Sequence, residues 1–352
     1  MIQSLAFPVS DYRYLPQKSW EGFGEALKEL GLDGLELLGN GKRLWEPIPQ
    51  SMVQGYQMRA PLDWLDCYLG EKDRYIWNVD TCEEAEDAFH QGTREDILTA
   101  YREDLSFGLS LNTPYIVFDV SNADEREAYT WKWTHSDHWV MDAAIEILNG
   151  LLKGIKPSFY LLLGNNRWPG FNFLDPKKTE YLLTRIDYPK VGIMLDTGRL
   201  LSTKPRTKNQ GEGIKYIHSL LDKHGELCKS ILGLHFNYIS TSEWSRSRFR
   251  APERKPGDWH PSFMTEEKTL RYRVRRLEYH TAWTYPGCVS LIDRIEPWFL
   301  VHTFYHTGSL TRMGALTRQR KAIQKGRDLK THGLAGTDQT SENQYKDQRT
   351  CI

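Results

Sequence analysis

Eight short apolar runs recur along this chain, and a stretch with helical spacing separates most neighbours; that alternation constrains the fold more than any other feature. The runs are Ile2–Phe7, Asp33–Leu38, Val53–Met58, Tyr115–Ser121, Phe159–Leu163, Val191–Asp196, Ile231–Asn237 and Phe299–Phe304. Most are apolar almost throughout, as expected of strands covered on both faces.

Helix patterns fill the intervals. Trp20–Leu30 follows Ser19, Arg94–Leu109 follows Thr93, and Asp137–Leu152 follows Ser136, each hydroxyl placed to cap a first turn. Lys177–Ile186 opens after Asp175-Pro176, an N-cap with proline at the first helical position. Gly213–His224 and Gly308–Lys325 complete the later part, and the segment from Tyr285 to Ile295 fits a short helix before the last strand. This order predicts an α/β protein, a single (β/α)8 TIM barrel over residues 1–328. A long insertion is expected at 240–284, after the seventh strand, and a disordered tail at 329–352, where periodicity gives way to small and polar residues.

Bulk properties narrow the partners. Lysine plus arginine equal aspartate plus glutamate at 46 each, so no global field draws the chain to nucleic acid or to a membrane surface. Its apolar runs fall short of the roughly 18–20 residues needed to span a bilayer. Met1-Ile-Gln-Ser-Leu-Ala-Phe-Pro carries no basic stretch ahead of an apolar one, so no signal peptide is expected. The five cysteines are scattered with no CxxC pair, which suits reduced thiols and a cytoplasmic location. Twelve tryptophans suit the core and rims where aromatics usually go, and also a pocket that stacks on sugar rings or other flat faces, as a site for a small polar, sugar-like ligand would. The insertion is rich in arginine (Arg246, Arg248, Arg250, Arg254, Arg271, Arg273, Arg275, Arg276). It reads as a solvated excursion, as a lid recognising phosphate or carboxylate, or as a subunit contact that would make a homo-oligomer.

Polar residues cluster where runs end, the mouth at which parallel barrels bind ligands. Asp196 closes an apolar run and precedes Thr197-Gly198, where a carboxylate needs a metal, an arginine or backbone donors as partner. Arg199 is near enough to neutralise it, and a plain turn cap is the structural alternative. His235 and Asn237 share a face by the two-residue period. Asn165, Asn166 and Trp168 follow the fifth run, Asp119 ends the fourth, and Glu36 sits inside the second. An inward Glu36 is either a site residue or half of a buried ion pair.

Six segments occur in a telling order: Leu32-Asp-Gly-Leu-Glu36-Leu, Gly164-Asn-Asn-Arg-Trp-Pro-Gly-Phe171, Gly192-Ile-Met-Leu-Asp196-Thr-Gly, Gly233-Leu-His235-Phe-Asn237, Tyr285-Pro-Gly287 and Glu296-Pro-Trp-Phe-Leu300. Together they resemble the xylose-isomerase-like TIM barrels, the group of sugar-phosphate isomerases and epimerases and endonuclease IV-type nucleases. The resemblance spans about residues 1–325. It implies a divalent metal (Mn, Mg or Zn) held by Glu, Asp, His and Glu from successive strand ends, and proton transfer at the carbon beside a carbonyl or hydroxyl. Asp196 and His235 match that ligand pattern; Gly164, Arg199, Tyr285 and Thr303 stand where the family carries glutamates or histidines. Gln57, Asp119 and Asn122 also stand where relatives have histidines. A metal sited by Asp196 and His235 alone would be weakly held.

Two functions therefore stay open. The first is a sugar (phosphate) isomerase or epimerase with a degraded metal site. Asp196, His235 and Tyr285 would then transfer protons, Arg199 would face a substrate oxyanion, and Asn165, Asn166 and Asn237 would orient hydroxyls. The second is a catalytically inactive relative that binds a small molecule or a protein. A metal-dependent nuclease would need a full metal cluster and a basic groove, which the sequence lacks outside the arginine-rich insertion.

Overall fold

Eight parallel strands close into a barrel, each hydrogen-bonded to the next and the last to the first. The structure is a computed structural model and describes residues 1–8, 19–39, 48–60, 63–71, 93–204, 206–241, 279–304 and 309–331. The strands are β1 (Ile2–Pro8), β2 (Gly34–Leu38), β3 (Val53–Gln57), β4 (Tyr115–Asp119), β5 (Tyr160–Gly164), β6 (Val191–Asp196), β7 (Ile231–Phe236) and β8 (Phe299–His302). Their apolar character follows from burial on both sides. Ala6, Tyr115, Val117, Leu162, Met194, Phe299 and Val301 pack together inside the barrel, while Leu35, Ile116, Phe118, Leu234 and Leu300 meet the surrounding helices.

The helices begin where capping chemistry allows. Ser19 accepts from the Gly22 N–H, Thr93 and Asp96 form a reciprocal capping box, Ser136 accepts from Trp139, and Asp175 caps a helix opening on Pro176. The main helices are Trp20–Glu29, Arg94–Ser110, Asp137–Leu152, Pro176–Arg185, Gln210–His224 and Ser309–Thr331. The last runs past residue 328, and 332–352 of the expected tail lie outside the described residues. Most of the expected insertion, 242–278, lies outside them too. The segment before β8 divides into a 3-10 turn, Pro286–Cys288, and a helix, Val289–Ile295. Among the described residues no helix is long and apolar enough to cross a membrane.

Candidate functional site

A polar layer lies above the apolar one at the C-terminal end of the strands. Along β4 the two-residue period puts Tyr115, Val117 and Asp119 on the inner face. Asp119 stands level with Gly164 of β5, Asp196 of β6 with His235 of β7, and Glu36 of β2 with Gly55 of β3. Glu36, Asp119, Asp196 and His235 are all buried.

His235 is the hinge of this layer. Its Nε2 lies 2.8 and 3.1 Å from the two oxygens of Glu36, and its Nδ1 lies 3.9 Å from Asp196 Oδ2. The Tyr115 hydroxyl donates to Glu36 Oε2 at 2.9 Å. It reaches there because position 55 is glycine: a Cβ on Gly55 would stand 2.1 Å from Tyr115 Cζ. Burial by itself lowers the basicity of the His235 imidazole, but the Glu36 and Asp196 carboxylates outweigh it and leave the pKa raised. Burial raises the Asp196 carboxyl, against the smaller opposing pull of Arg199 and His235.

Arg199 divides its two ends between two carboxylates. Its backbone N–H donates to Asp196 Oδ1 at 2.8 Å, which makes Asp196 the N-cap of the short helix Thr197–Ser202. Its guanidinium crosses to Asp119 Oδ2 at 2.6 Å, an oxygen that also accepts from Gln57 Nε2 at 3.0 Å. Arg199 thus caps through the backbone at Asp196 and pairs through the side chain at Asp119. Asn237 Nδ2 donates to Asp196 Oδ1 at 3.0 Å. Asp119 Oδ1, Asp196 Oδ2 and Asn237 Oδ1 are buried and accept no hydrogen bond among the described residues.

Of the sequence-predicted residues, the structure brings together Glu36, Asp119, Asp196, Arg199, His235 and Asn237. Asn165 serves them from behind: its Oδ1 accepts from the Asp196 N–H at 2.6 Å and its Nδ2 donates to the Asp196 carbonyl at 3.3 Å. Asn166 closes a turn, its Oδ1 accepting from the Arg167 N–H. Trp168 packs on Ala123, Ala128 and Trp133, with the Arg167 guanidinium 5.2 Å from its ring centre. Tyr285 is not brought to the group. The residue is 45% exposed, and its backbone N–H donates to Gln210 Oε1. The reason is local: the turn Pro286–Cys288 starts directly after it, at the outer layer of the barrel.

Sequence reasoning missed Tyr115, Thr197 and Trp283. Thr197 Oγ1 donates to the Asn237 carbonyl at 2.6 Å and accepts from the Asn237 N–H and from Trp283 Nε1, which locks the ends of β6 and β7 together. The one available signal for Tyr115 was Gly55, a small residue in an otherwise bulky barrel strand.

For a metal, the donor set is poor. His235 Nε2 is committed to Glu36, and a guanidinium sits on Asp119. Position 164 has no side chain, and a Cβ there would lie 2.0 Å from Asp119 Oδ1. Among the described residues no three His, Cys, Asp or Glu side chains group as metal ligands.

No family model matches the sequence, and no curated protein matches it either. Solved structures do. A D-tagatose 3-epimerase-like protein is 10% identical, with 93% of this chain and 99% of that one covered and a TM-score of 0.50. An L-ribulose 3-epimerase is also 10% identical, with 97% and 100% covered and a TM-score of 0.50. Endonuclease IV from Thermus thermophilus is 14% identical, with 92% and 100% covered and a TM-score of 0.47. At such identity the likeness to the two epimerases is one of fold alone: this chain is a closed (β/α)8 barrel.

Proposed function

We propose that this barrel acts on a small polyhydroxylated, sugar-like carbonyl compound by proton transfer at the carbon next to the carbonyl, without a resident divalent ion. The residues present do not fit such an ion. The observation that carries the reading is His235 held between two carboxylates, Glu36 on Nε2 and Asp196 on the Nδ1 side.

In this arrangement Asp196 Oδ2, a buried acceptor with no hydrogen bond among the described residues, takes the proton from carbon. The electron pair moves into the enolate, and the Arg199 guanidinium stabilises the oxygen on which charge develops. His235, held protonated by Glu36, returns a proton to carbon, and Asp196 restores it. Asn165 fixes the strand end that carries the base.

A second reading is a non-catalytic binding scaffold. It is supported by the mutual pairing of Glu36 with His235 and of Asp119 with Arg199, all buried. The experiment that separates the two is solvent exchange. Chelator-treated protein is incubated in D2O with free ketoses and aldoses, and proton NMR follows the hydrogen next to the carbonyl. Exchange that drops by about a hundredfold or more in Asp196→Asn and in His235→Gln supports catalysis. No exchange across the panel supports the scaffold.

A further inference from the structure

Arg199 leaves the first turn after β6 and sends its guanidinium to the end of β4, so it acts on two carboxylates at once. Each of those carboxylates keeps one buried oxygen without a hydrogen bond among the described residues, Asp119 Oδ1 and Asp196 Oδ2. Between β4 and β6 lies Gly164, whose missing side chain leaves room for Asp119: a Cβ there would come within 2.0 Å of Oδ1. The other cationic group nearby, His235, has Nε2 on Glu36 and stays 3.9 Å from Asp196 through Nδ1. Two buried carboxylates need compensating positive charge, and an arginine supplies it at every accessible pH.

We propose that Arg199 is the resident cation of this mouth: its guanidinium takes the charge-neutralising place of a divalent ion, keeps such ions out, and its removal turns Asp119 and Asp196 into a divalent-cation site. The proposal rests on the metal-independent reading above and explains it at one residue. Open oxygens on Asp119 and Asp196 are hard donors of the kind divalent cations such as Mn2+ take. A guanidinium repels such a cation, and a neutral side chain at 199 does not.

The test is calorimetric titration of the chelator-treated full chain with Mn2+, with thermal unfolding followed in parallel. Wild type is expected to show no saturable binding below about 1 mM. Arg199→Met is expected to bind one Mn2+ at least about tenfold more tightly, and to gain in Tm when Mn2+ is added. Adding Asp119→Asn to that variant should abolish both gains. Arg199→Gln, which keeps a donor for Asp119, is the second variant should Arg199→Met not fold. Stoichiometric Mn2+ binding by wild type overturns the proposal, and so does a folded Arg199 variant that binds Mn2+ no better than wild type. The solvent-exchange experiment can fail while these titrations come out as expected, and the reverse, so the two ideas fall separately.

Discussion

Tyr115 and Glu36 meet inside the barrel, hydroxyl to carboxylate at 2.9 Å, although they stand on β4 and β2 with β3 between them. The contact passes over Gly55, where any Cβ would collide with the phenol ring. Gly55→Ala is therefore expected to destabilise the fold by about 1–3 kcal/mol through overpacking. Replacing Tyr115 with leucine first should shrink that penalty. Denaturant unfolding of the four proteins in the cycle checks this, and equal penalties in both backgrounds would contradict it.

Asn165 and Asn166 are neighbours with different work. Asn165 pairs with both backbone groups of buried Asp196, while Asn166 accepts one local bond from Arg167. Asn165→Ala leaves the buried Asp196 N–H without its side-chain acceptor and takes one donor from the Asp196 carbonyl, an expected loss of about 1–3 kcal/mol. Asn166→Ala should lose about 1 kcal/mol. Midpoints of urea unfolding for the two variants settle the order.

A buried histidine on the outer face of β8 sets part of the acid response. His302 is fully buried, its Nδ1 accepts from Gln319, and burial pushes its pKa down to about 3. Its folded pKa is depressed, so the unfolded chain binds the proton first. The contribution is complete above the unfolded value of about 6.5 and falls by roughly 1.4 kcal/mol per pH unit toward the folded value. His302→Leu should flatten the decline in stability between pH 7 and pH 5 by one proton's share. Parallel curves for the two proteins would count against it.

His235 works with the opposite sign. Its pKa is raised, so what the Glu36 pair contributes is complete below about pH 6.5 and is lost as pH rises through the folded value. Glu36→Gln removes the nearer carboxylate and leaves burial opposed only by the weaker pull of Asp196 and Asp119. Stability of that variant should no longer fall with rising pH in this window, a comparison made by thermal melts from pH 6 to pH 9.

Much of the barrel was legible in the sequence because its signal is local. Val191–Asp196 and Asp137–Leu152 appear with the bounds their apolar and capping patterns predict. Among the described residues three helices escaped, Trp64–Leu69, Glu125–Thr130 and Thr197–Ser202, each 6 residues long and too short to show a helical period. Asp196 and His235 stood out as polar residues closing apolar runs. Glu36, Asp119 and Arg199 were candidates as well, but who meets whom was not legible, because partnership is set by barrel closure: Glu36 and His235 are 199 positions apart, and Asp119 and Arg199 are 80 apart. Nearness in sequence even misled for Arg199. Helix geometry gives its N–H to Asp196 and carries its guanidinium away to Asp119.

The most direct test of the proposed centre is the protonation state of His235, read by long-range proton–nitrogen correlation NMR and assigned by its disappearance in His235→Gln. The expected result at pH 7 is an imidazole protonated on both nitrogens, reverting to a neutral ring in Glu36→Gln. A neutral His235 at pH 7 in the wild-type protein would contradict a carboxylate-held acid at this mouth.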